Sequence, residues 1–104
     1  MNYIKTIKAQ EAFKASIAKL REYSIEKEFA TVMEAIECNT IRGAFVVSTP
    51  TMDWPKAELL AIELEELGYA CHASSANELK DGVPQAYVTA NWKFLAQKSR
   101  ESYN

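Results

Sequence analysis

The chain has 104 residues, 48% hydrophobic and 25% charged, with three glycines, three prolines and a formal charge of −2. That balance suits one globular domain with a single modest core, excludes a disordered or fibrous chain and leaves little room for a second domain. No apolar run approaches the ~20 residues a membrane-spanning helix needs, and Met1 to Lys5 begin no secretory signal, so a soluble cytoplasmic protein is expected.

The first element is a helix over about residues 5–22, on which Ala9, Phe13, Ile17 and Leu20 recur every three or four residues. Ser24 offers an N-cap to a second helix, with Glu26 in its first turn and a broader stripe of Ile25, Phe29, Val32, Met33 and Ile36. Asn39-Thr40 and Gly43 end it. The β-branched and aromatic run 44–49 reads as a strand, and its continuous apolar character suits a central strand covered on both faces, or one well covered on at least one face. After the break at Thr49-Pro50, Asp53 is placed to cap a third helix and Pro55 falls in its first turn. Leu60, Leu64 and Leu67 mark that helix's inner face, and Gly68-Tyr69 its stop. Tyr69 to Ser74 is read as a second strand, parallel to the first through a right-handed crossover. Ser75 to Pro84, with Asn77, Asp81, Gly82 and Pro84, reads as a loop. In residues 85–92, Ala86, Val88, Ala90 and Trp92 alternate with Tyr87, Thr89 and Asn91, as in an antiparallel strand with one wet face.

The expected fold is therefore α+β: two N-terminal helices, a βαβ unit and a third strand in a small mixed three-stranded sheet. Residues 1–104 form one domain, with a basic amphipathic helix at 1–23, a compact core at 24–92 and a short helix or tail at 93–104.

Charge is segregated along the chain. Lys5, Lys8, Lys14, Lys19 and Arg21 face only Glu11 in the first 21 residues, whereas Glu22, Glu26, Glu28, Glu34 and Glu37 face only Lys27 in the next sixteen. The simplest arrangement sets the basic first helix against the acidic second; the functional one is a dipolar surface that docks on copies of itself or on a partner.

Little in the sequence points to catalysis. His72 is the only histidine, and Cys71 beside it in a strand projects to the opposite face, so the two make no nucleophile–base pair. Cys38 and Cys71 are 33 residues apart, far from metal-ligand spacing, and read as reduced, mostly buried thiols. The carboxylates of the third helix lie mainly opposite its leucines, in water, where they stay ionised. No enzyme activity, cofactor or metal is expected. The loop residues Met52 and Trp54, and Phe94, Lys98 and Arg100 near the end, are candidate protein contacts. The alternative is a nucleic-acid-associated protein using Lys5, Lys8 and Lys14 with the basic tail, against which stands a pI near 5.4.

The segment from Glu34 to Trp92, with Ala35-Ile36, Gly43 and its strand, the acidic leucine helix ending Leu67-Gly68-Tyr69 and a last strand closing on Trp92, resembles small bacteriophage accessory proteins. The resemblance implies a non-catalytic protein that acts as a virion component or binds a host protein, and it assigns no functional residue. The expected function is a protein-interaction or assembly module, with self-association or a protein partner and no membrane.

Overall fold

The computed structural model describes residues 6–95. The order of elements is α1 (Ala9–Leu20), α2 (Glu26–Ile41), β1 (Val46–Ser48), β2 (Met52–Asp53), α3 (Trp54–Glu66), β3 (Ala70–Lys80) and β4 (Val83–Asn91). The fold is α+β.

Both glycine stops act as their sequence suggests. At the end of α2 the Ala44 amide donates to the Asn39 carbonyl and the Gly43 amide to Thr40, with Gly43 at φ +80°. At the end of α3 the Tyr69 amide donates to Leu64 and the Gly68 amide to Glu65, with Gly68 at φ +101°. The same paired closure satisfies carbonyls that each helix would otherwise leave open. The beginnings differ from expectation. Ile25, not Ser24, precedes α2, and no side chain caps it. Asp53 does precede α3, but its Oδ1 accepts a 2.8 Å hydrogen bond from the buried Gln85 Nε2 instead of capping the helix.

The sheet is antiparallel throughout, which corrects the expected mixed pairing. β4 lies in the middle, with β3 on one side and β1 and β2 in succession along the other. β1 and β3 run in the same direction, as a crossover through α3 requires, but β4 is inserted between them, so they never pair. The segment read as a loop, Ser75 to Pro84, is instead the far half of a long hairpin. Its turn is Asp81-Gly82, both at positive φ (52° and 79°), the backbone shape that matches strand twist. A bulge at Asn77 (φ 56°) shifts the register between Ser75 and Leu79.

α2 and α3 cover one face of the sheet. Val32 and Ile36 of α2 and Ala57, Leu60, Ala61 and Leu64 of α3 meet Val47, Ala86, Val88 and Ala90 from the strands. Leu60 and Leu64 are fully buried, each worth roughly 1.5–3 kcal/mol of transfer free energy. Trp92 joins this core at its margin, its ring edge-on to Tyr69 at 5.7 Å. Leu67 departs from the expected stripe: it is the residue that closes α3, and it is exposed. β1 is not a central strand, because Val46 and Ser48 lie on the uncovered face and only Val47 is buried. Of the two readings of the continuous apolar run, cover on one face is the one found.

α1 stands apart. It packs on α3, not α2, and Arg21 at its end reaches Glu66 at 3.3 Å and Glu63 at 3.7 Å. The expected pairing of a basic first helix with the acidic second is therefore replaced by a tether to the acidic third. The radius of gyration, 17.0 Å, exceeds the about 13 Å of a compact domain near this length.

Candidate interaction surfaces

The expected contact residues are dispersed. Met52 sits half-buried in β2 and packs against the core. It also lines a groove of about 290 Å³ between α2 and the β1–β2 edge, with Lys27, Thr31 and Pro50 among the other walls. Trp54, the first residue of α3, is 46% exposed and borders a wedge of about 320 Å³ with Glu58, Ala73, Ser75 and Ala86, where α3 diverges from the hairpin. It packs towards β3 and β4, away from α2. Phe94 follows Trp92 at the other end of β4. The six residue steps from Ala86 to Trp92 span about 20 Å of strand, so Trp54 and Phe94 belong to different surfaces. Lys98 and Arg100 lie outside the described residues, as does Lys5.

Lys8 and Lys14 are exposed on or beside α1. The other two described cations of that helix region are engaged: Lys19 pairs with Glu22 at 2.9 Å, which raises its pKa, and Arg21 pairs with α3. Carboxylates therefore interrupt the basic face.

The thiols differ. Cys71 donates a 2.9 Å hydrogen bond to the Ala61 carbonyl and its pKa is pushed up to about 11, first by burial and then by the nearby Glu65 carboxylate. It is a protonated, inert packing group. Cys38 is exposed, against the expectation of burial. His72 is exposed on the uncovered face of the sheet. Among the described residues no three His, Cys, Asp or Glu side chains converge as metal ligands, and no helix is long and apolar enough to cross a membrane.

Two further surfaces were not read from the sequence. On α1, none of the twelve residues is buried; Phe13 is 60% exposed, and Ile17 and Leu20 are only half-covered. The stripe itself was visible, but its lack of a partner is a property of the packed chain. The second surface is the backbone of the sheet's two edges. The Thr49 amide donates to the Val88 carbonyl and the Trp92 amide to Phe45, so Val88, Ala90 and Trp92 direct their backbone groups towards β1. By alternation Tyr87, Thr89 and Asn91 address Ser74, His72 and Ala70. Val46 and Ser48 on one edge, and Cys71, Ala73 and Ser75 on the other, therefore point their amides and carbonyls outward.

The β1–β2 edge is obstructed. Asn39 Nδ2 donates to the outward Val46 carbonyl at 2.7 Å, and Pro50-Thr51 bulge opposite the single residue Tyr87. Within that bulge the Thr49 hydroxyl accepts the Val88 amide at 2.9 Å, keeping β4 satisfied. From Cys71 to Ser75 the β3 edge has no such device, since among the described residues no hydrogen bond occupies the outward backbone groups of Cys71, Ala73 or Ser75. The bulge at Asn77, whose amide donates to Ser75 Oγ at 3.1 Å, ends that open stretch.

No family model matches this chain, and no match was found among curated proteins or solved structures.

Proposed function

We propose that the protein is a non-catalytic interaction or assembly module. The observation that carries this reading is α1, a twelve-residue amphipathic helix with no buried residue. Helices of that length are marginal in water by themselves, and in proteins they are held by packing of the apolar face. Here the end near Arg21 is tethered to α3, while the stripe around Phe13 faces solvent. A helix laid into a partner's apolar groove uses anchors at this three- and four-residue spacing. The exposed Trp54 beside its wedge supplies a second contact of the kind that anchors protein interfaces. The resemblance to small phage accessory proteins extends the proposal to a virion component or a binder of a host protein, acting in the cytoplasm or in the particle.

Native mass spectrometry of gently purified protein tests this. A co-purified protein should be retained by the wild type and lost from Phe13→Asp, with the circular dichroism of the sheet and of α2–α3 unchanged. Retention of the partner by Phe13→Asp overturns the assignment to α1. Retained complexes that instead contain nucleic acid, and that weaken steeply with salt, contradict a protein-binding role.

A further inference from the structure

From the β3 edge we infer that the protein pairs with a second copy of itself, β3 against β3 in antiparallel register about Ala73, joining two sheets into one. This inference is independent of α1 and rests on the geometry and the side chains of the β3 edge. Cys71, Ala73 and Ser75 direct their backbone groups away from β4. A two-fold axis through Ala73 sets Ala73 opposite the partner's Ala73 and Cys71 opposite the partner's Ser75. Every outward amide and carbonyl of the three residues then finds a partner, with two hydrogen bonds in each of three opposed pairs.

The side chains favour a copy of this chain over a foreign strand. From Ala70 to Asn77 the sequence Ala-Cys-His-Ala-Ser-Ser-Ala-Asn holds no acid, lysine, arginine or proline. Edges that must remain single are ordinarily protected by those residues, by bulges or by cover. The charged Glu78 and Lys80 lie beyond the Asn77 bulge, outside the paired stretch. Apart from His72 the flanks are small and uncharged and give a foreign strand little to select it, whereas the two-fold pairing is complementary by symmetry.

The non-hydrogen-bonded positions of the seam bring His72 beside the partner's Ser74 on the uncovered face, where opposed side chains approach most closely. On the helix side, Glu58 lines the same wedge as Ala73 and Ser75, and Glu65 stands close enough to Cys71 to act on its thiol. Two acidic helices thus flank the seam, and added salt should tighten the dimer by screening them.

The test is the mass of the whole protein in solution by sedimentation equilibrium across a concentration series, in low and high salt. The wild type should approach twice the 11.7 kDa chain mass, more readily in high salt. Ala73→Pro removes an outward amide and should remain monomeric. His72→Glu/Ser74→Glu opposes like charges across the seam and should also be monomeric, whereas His72→Lys/Ser74→Glu opposes unlike charges and should dimerise. A wild type that stays at 11.7 kDa throughout overturns the inference. So does a dimer that survives both Ala73→Pro and His72→Glu/Ser74→Glu, or equal behaviour of the two charge pairs. If Ala73→Pro fails to fold, the charge pairs still decide.

Discussion

The two edges of this sheet are built from strands of similar exposure and opposite design. Along β1–β2 a side-chain amide covers a carbonyl, a proline removes a donor and a bulge breaks the run. Along β3 the donors and acceptors repeat every second residue from Cys71 to Ser75 without interruption. β4 has both its sides filled and supplies most of the buried strand residues. The contrast separates apolar surface from pairing capacity: what sets the two edges apart is which backbone groups are left in register. β1 carries the more hydrophobic flank, Phe45 and Val46, yet it is the obstructed edge.

The largest test of this difference is a pair of adjacent prolines in one strand. His72 directs its amide into β4, so His72→Pro removes a ladder bond and should cost about 3 kcal/mol in urea unfolding. Ala73 directs its amide outward, so Ala73→Pro should change monomer stability by less than about 1 kcal/mol. Equal losses at the two positions would mean that the inward–outward alternation is wrong.

A smaller effect is expected from dismantling the obstructed edge. Thr49→Val leaves the Val88 amide without an acceptor and should cost about 1–2 kcal/mol. Asn39→Ala frees the Val46 carbonyl at a cost of about 0.5–1.5 kcal/mol. It should also give a second, concentration-dependent association that Ala73→Pro does not suppress. Light scattering of Asn39→Ala/Ala73→Pro would show it; a clean monomer would mean that the bulge alone blocks the edge.

The smallest concerns the thiol inside the β3 edge. In the folded chain Cys71 holds its proton up to about pH 11, against an ordinary value of 9.0. The unfolded thiol ionises first, so stability should fall as pH rises from 9 to 11 and level off above. Cys71→Ala should flatten that decline. Iodoacetamide near neutral pH should modify the exposed Cys38 well before Cys71, and equal rates would contradict the half-buried, hydrogen-bonded thiol.

The helices were legible because their signals are local. The apolar stripe of α2, Pro55 in the first turn of α3 and the glycines at 43 and 68 each act within a few residues. Strand order was not, because whether β4 enters between β1 and β3 depends on what the whole sheet can bury. The hairpin at Asp81-Gly82 carried a recognisable turn pair, but the small residues of β3 and the nearby Pro84 disguised the strands around it. Pro84 is tolerated because its missing donor faces the side where β2 has already ended at Asp53. Among the candidate contact residues, Trp54 was readable as an aromatic at a helix start. The openness of the β3 edge was not, since Ala73 differs from His72 only in which way the assembled strand turns its amide.

The most direct measurement is residue-resolved amide hydrogen exchange along β3 at two protein concentrations. At high concentration, Cys71, Ala73 and Ser75 should be protected along with Ala70, His72 and Ser74. On dilution only the first three should lose protection, giving an every-other-residue pattern. Protection that is lost together along the strand, or outward amides that exchange freely at both concentrations, would contradict an open edge completed by a second copy.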